Sequence, residues 1–191
     1  MGEQATTAIP LDQPGWGALE LVRLGRIWLA WSATGLVLLD QHDRAPDRER
    51  LTRWLPELDA DAPCGPPERY VVALTTFDRG EPIDLAHLDV DLRGTPFQNR
   101  VRTALRRVAR GQVRTYAGLA SDAGAPRAMR AVGMAMARNP LPLVVPCHRV
   151  VANGSRIGGY SDGLPRKRQL LELEGVRIDG DRVLHGQLDL L

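Results

Sequence analysis

From residue 139 to residue 151 the chain reads Asn-Pro-Leu-Pro-Leu-Val-Val-Pro-Cys-His-Arg-Val-Val, and whatever fold it adopts has to be built around this run. It is short, apolar and β-prone, and it carries a cysteine between a proline and a histidine. Pro146 has no backbone donor and a fixed φ, so Cys147 sits on stiff main chain. His148 adjoins it and Arg149 follows, and nearby positive charge favours thiolate over thiol. Thiolate is the form that attacks electrophiles. A lone cysteine is more often an inert packing residue, but polar and cationic neighbours do not suit that role. Cys147 is therefore the candidate nucleophile.

With 191 residues the chain has room for one large domain or two small ones. Its 43% apolar and 25% charged content is ordinary for a globular protein. No uninterrupted apolar run reaches the roughly 18 residues of a membrane helix. The first residues have neither the basic nor the apolar region of a signal peptide. Neither Cys64 nor Cys147 belongs to a Cys-x-x-Cys pair, so no zinc site is expected. A disulfide between them is not expected either, given the reactive setting of Cys147. The net charge of +2 conceals an uneven distribution. Residues 1–93 hold 9 Arg against 16 Asp and Glu, a net of −7. Residues 94–175 hold 14 Lys and Arg against 4 acidic residues, a net of +10. A basic half beside an acidic half points to a polyanion-binding face confined to one domain.

Residues 1–14 read as a leader without periodicity. Strands are expected at Ala18 to Arg23, Arg26 to Ser32 and Leu36 to Asp40, punctuated by Gly25 and Gly35. Leu51, Trp54, Leu55 and Leu58 lie at helical spacing within residues 46–58. Tyr70 to Phe77 reads as a further strand, and Pro82 to Gly94 as a linker. Thr95-Pro96-Phe97-Gln98 then opens a helix by capping box, with Gly111 as its stop. Thr115 to Gly124 and Arg127 to Arg138 form two helices around a glycine-containing turn, a helix-turn-helix pattern. On the second, Met129, Val132 and Met136 share the inner face, and Arg127, Arg130, Ala131, Met134 and Arg138 the outer. Arg156 to Gly163 is a glycine-rich loop displaying Tyr160. Leu170, Leu171 and Glu174 lie on a last helix closed by Gly175. A carboxylate at a helix C-terminus opposes the dipole, so Glu174 needs a partner there. The fold class is α/β (α+β): a small mixed domain over 1–93, a mainly helical domain over 94–175, and an appendage over 176–191.

Pro146-Cys147-His148-Arg149-Val150, read with its flanks from Thr95-Pro96-Phe97-Gln98 to Glu174-Gly175, resembles the O6-alkylguanine-DNA alkyltransferase family. The resemblance implies DNA repair by irreversible transfer of an alkyl group from O6-alkylguanine, and from O4-alkylthymine, to Cys147. It also implies a relay of Cys147, water, His148 and Glu174, with Asn139 holding the turn and Tyr116 donating toward the guanine. Tyr160, Ser161 and Val150 match the family's substrate-binding positions. An arginine matching Arg130 fills the gap left by a flipped nucleotide, and Arg127, Ala131 and Arg138 on the same outer face, with Thr115, are the further DNA-binding candidates. The implied partner is double-stranded DNA entered through the minor groove, with no cofactor, no metal and no membrane. A cytoplasmic monomer, nucleoid-associated when bound to DNA, is implied as well. The family's usual tryptophan is replaced by Arg102, a change expected to touch packing or surface, and a common glycine is replaced by Asp162.

Other classes share parts of this pattern. A cysteine hydrolase would also use Cys, His and a carboxylate, but the +10 half would have no role in it. A regulatory or lesion-binding helix-turn-helix protein would share the DNA-binding parts but would have no use for a reactive cysteine.

Overall fold

The structure is a computed structural model and describes residues 13–184. The expected leader falls almost wholly outside the described residues, as does the end of the expected appendage. The described residues form two compact units, one of residues up to 81 together with 88–93, the other of 82–87 together with 94 onward.

In the first unit, β1 (Gly15–Leu21), β2 (Gly25–Ser32) and β3 (Gly35–Asp40) form an antiparallel sheet in that order. Every residue of β3 is buried, because the strand is covered on both faces. Trp16, Ala30 and Leu38 pack against Leu51, Leu55 and Leu58. Leu51 belongs to α1 (Arg48–Trp54), capped by Asp47. It is shorter than the expected helix because Pro56 lacks the donor needed to continue it. The expected strand at Tyr70 to Phe77 is instead α2 (Glu68–Asp78). Its β-branched residues imitate a strand, but the buried positions Tyr70, Ala73, Leu74 and Phe77 have helical spacing. Asp78 anchors this helix by accepting the backbone N–H groups of Val22, Arg23 and Leu24 at the β1–β2 turn.

The second unit starts with α3 (Pro96–Leu105), whose Thr95–Gln98 capping box is complete. Next come β4 (Arg114–Thr115), α4 (Tyr116–Asp122) and α5 (Met129–Ala137), and α3, α4 and α5 pack on one another. Gly124, at φ +68°, supplies the left-handed residue that the turn after α4 requires. Arg127 precedes α5 and Arg138 caps its end, so both lie outside the helix that was expected to contain them. The inner face of α5 is Val132, Ala135 and Met136, whereas Met129 is 46% exposed.

The run preceding Cys147 is not a strand. With prolines at 140, 142 and 146 it cannot form a ladder, and it folds as a buried irregular loop. A 3₁₀ turn, Cys147–Arg149, leads into β5 (Val150–Val151), which pairs in parallel with β4. That pairing brings the start of α4 beside the cysteine turn. Then come α6 (Leu164–Leu173), β6 (Ile178–Asp179) and β7 (Arg182–Val183). The expected appendage is in part core: Val176 and Val183 pack with Val113, Val151, Ile157 and Leu171. No helix among the described residues is long and apolar enough to cross a membrane.

Candidate active site

Cys147 lies in a pocket of about 160 Å³ with Tyr116 from α4, Gly133, Met136 and Ala137 from α5, and Gly159, Tyr160 and Ser161 from the glycine-rich loop. Asn139 fixes the approach to it. Its amide donates to the Val145 carbonyl (2.8 Å) and to Cys147 Sγ (3.4 Å), and its Oδ1 accepts from Leu141 N (3.1 Å). Burial pushes the Cys147 thiol up, while hydrogen bonds from Asn139 and Tyr160 and the charge of Lys167 pull it the other way. At rest Cys147 is therefore a thiol, and its proton has to be removed in place.

The source of positive charge differs from the sequence expectation. Arg149 is turned away from the thiol, toward Glu174 Oε2 (2.9 Å), Glu174 Oε1 (2.8 Å), the Val108 carbonyl (2.5 Å) and Asp84 Oδ1 (3.0 Å). The cation that acts on Cys147 is Lys167, a residue the sequence reading passed over. It is wholly buried on α6, and its Nζ donates to the carbonyls of Val150 (2.6 Å) and Gly159 (3.1 Å). Burial lowers its amine to about 8 against an opposing pull from Cys147. The signal was in the spacing, since Lys167, Leu170, Leu171 and Glu174 share one helical face.

His148 is fully buried, with Nε2 3.0 Å from Glu174 Oε1. Burial raises the Glu174 carboxyl, but His148 and Arg149 outweigh it and hold the group at about 2. Glu174 is thus a carboxylate that accepts a hydrogen bond from Nε2–H, which leaves the Nδ1 lone pair as the basic position. Nδ1 makes no hydrogen bond to the described protein atoms. Burial, and then the charge of Cys147, raise the Tyr116 phenol, so it remains a donor.

Seven of the expected residues thus gather here: Cys147, His148, Glu174, Asn139, Tyr116, Tyr160 and Ser161. Val150 does not line the pocket. Its side chain is buried in the core and its carbonyl is taken by Lys167. Arg127, Arg130, Ala131 and Arg138 are all exposed on or beside α5, the helix whose Gly133, Met136 and Ala137 line the pocket. Thr115 uses its hydroxyl to cap α4, accepting from Gly118 N at 3.0 Å. Arg102 is a packing residue, 1% exposed, and its guanidinium donates to the Arg138 carbonyl (3.2 Å) and to Asn99 Oδ1 (3.2 Å).

Residues 96–176 match the family model described as the DNA-binding domain of 6-O-methylguanine DNA methyltransferase. A methylated-DNA–protein-cysteine methyltransferase of Mycobacterium leprae is 40% identical over 155 residues, covering 81% of this chain and 89% of its own length. The crystal structure of the Mycobacterium tuberculosis O6-methylguanine methyltransferase is 35% identical with a TM-score of 0.71, over 88% of this chain and 97% of that one. A structure of the Mycobacterium tuberculosis protein in complex with DNA aligns with a TM-score of 0.72 at 35% identity, over 84% and 93% of the two chains. On these similarities, the chain belongs to the methylated-DNA–protein-cysteine methyltransferase family.

Proposed function

We propose that this protein repairs O6-alkylguanine in double-stranded DNA by moving the alkyl group irreversibly onto Cys147. The observation that carries the reading is a cysteine in a pocket with the His148–Glu174 pair behind it and an exposed arginine-bearing helix forming part of its wall. A pocket of this size between two tyrosines suits a flat base turned out of the helix. Extruding that base from a duplex costs a few kcal/mol. In this reading α4, the turn at Gly124 and α5 act as a helix-turn-helix laid in the minor groove, with Arg130 filling the vacated stack. Arg127 and Arg138, at the two ends of α5, hold phosphates. O4-alkylthymine, similar in shape at the reacting oxygen, is a second substrate. One chain supplies every group the reaction calls on, so it acts as a monomer.

In the reaction, the Cys147 S–H bond breaks and its proton passes to His148, directly or through a bridging water. The sulfur forms a bond to the alkyl carbon as the C–O6 bond breaks, and the electron pair stays on guanine. Tyr116 stabilises that charge by hydrogen bonding and passes its phenolic proton to guanine, which leaves neutral, and the phenolate regains a proton from solvent. A thioether is a poor leaving group, so each molecule reacts once. Cys147→Ser is expected to bind DNA as the wild type does and to accept no alkyl group. This is measured by electrophoretic mobility and by transfer of radiolabelled methyl from a methylated oligonucleotide. Labelling of the serine variant would refute the assignment of Cys147.

A further inference from the structure

Arg149 links Glu174 to a second carboxylate, one contributed by the short segment 82–87 that sequence reading treats as linker. Asp84 Oδ1 accepts from Arg149 (3.0 Å) and from Ala86 N (3.1 Å), while its Oδ2 accepts from Arg110 N (3.2 Å). Arg149, His148 and Glu174 side chains are wholly buried, and Asp84 is 20% exposed. Charge counting shows what this fourth group does. With His148 neutral, Asp84, Arg149 and Glu174 together carry one negative charge; once His148 takes a proton, the network is neutral. Without Asp84 the imidazolium, Arg149 and Glu174 would together carry +1, opposed only by the thiolate left on Cys147, so the second carboxylate favours the protonated imidazole. Other charged or titratable groups around the network are Arg106 and Arg110, which bond the carbonyls of Ala86 and Leu173, His87 in the same turn as Asp84, and Lys167 on α6.

We propose that Asp84 is a positioning residue for alkyl transfer: by holding Arg149 and supplying the network's second carboxylate, it favours the imidazolium that His148 becomes on accepting the Cys147 proton. The inference rests on the proton transfer proposed above.

The test is the pH dependence of Cys147 alkylation by iodoacetamide, compared with the rate of repair. Cys64→Ser is carried in every protein, so that the reagent reports Cys147 alone. Asp84→Asn keeps the size and an acceptor oxygen but removes the charge. Alkylation is expected to slow about tenfold at neutral pH, with its rise moved to higher pH, because less thiolate is held against a protonated imidazole. Repair should slow in parallel, and Asp84→Glu should restore part of both. An unmoved profile overturns the proposal. So does faster alkylation, since a merely structural role would loosen the site and expose the thiol. A shifted profile in a protein whose wild type repairs nothing would sustain the role of Asp84 and remove the repair reading instead.

Discussion

The difficulty at Cys147 is that burial disfavours the thiolate the chemistry needs, and Lys167 is the buried cation placed to offset it. Lys167→Met keeps the length and loses the charge. Transfer by this variant is expected to slow at least tenfold, measured by single-turnover labelling. The lysine also gives the fold a signature of its own. Its amine sits near 8 in the folded chain against an ordinary 10.5, so between those values the unfolded chain binds more protons. Wild-type stability should therefore rise relative to Lys167→Met as pH increases from about 8 to 10.5, by up to about 3 kcal/mol. Urea denaturation at both ends of the window measures it, and a constant difference would contradict the burial of the amine. Some of these residues were legible in the sequence for physical reasons. Glu174 stood out because a carboxylate at a helix end asks for a partner. Lys167 was concealed between two arginines, where a charged triplet reads as solvated surface. Asp84 left no local trace, since its partner Arg149 is 65 residues away.

At the scale of elements, α5 has separable duties along its length. Arg130 lies in its first turn, whereas Arg127 and Arg138 lie just beyond its two ends. If Arg130 fills the stack, Arg130→Ala should slow repair of duplex DNA by at least tenfold more than reaction with free O6-alkylguanine, since a free base needs no extrusion. Arg127→Ala should weaken binding and lower the salt slope by about one unit, with little change in rate once bound. Single-turnover kinetics at saturating protein compare the two variants, and equal losses on duplex and free base for Arg130→Ala would remove the stacking role. Elements with caps were readable in advance, as Thr95–Gln98 was, because their signals lie within one turn. α2 was misread because Val71, Val72, Thr75 and Thr76 favour strands locally, while its helical burial pattern depends on tertiary partners. The run before Cys147 was misread for a related reason: its apolar residues call for burial, but the irregular path is held by Asn139.

For the molecule as a whole, charge separates the two kinds of work. The net of −7 over residues 1–93 gives that part no affinity for a polyanion, and the net of +10 over 94–175 coincides with the stretch that holds the pocket and α5. This division was visible in the sequence because it depends on composition alone. The exact allotment of 82–87 to the second unit was not, because it depends on contacts made by Asp84 and Ala86 far along the chain. In this chemistry the protein itself becomes the permanent acceptor of the alkyl group. The most direct test is intact mass, followed by peptide mapping, after incubation with a duplex containing O6-methylguanine. One methyl replacing one hydrogen is expected, located on the peptide bearing Cys147, with one guanine restored per protein molecule and no further turnover. An unchanged mass, or a methyl group on the peptide bearing Cys64, would contradict it.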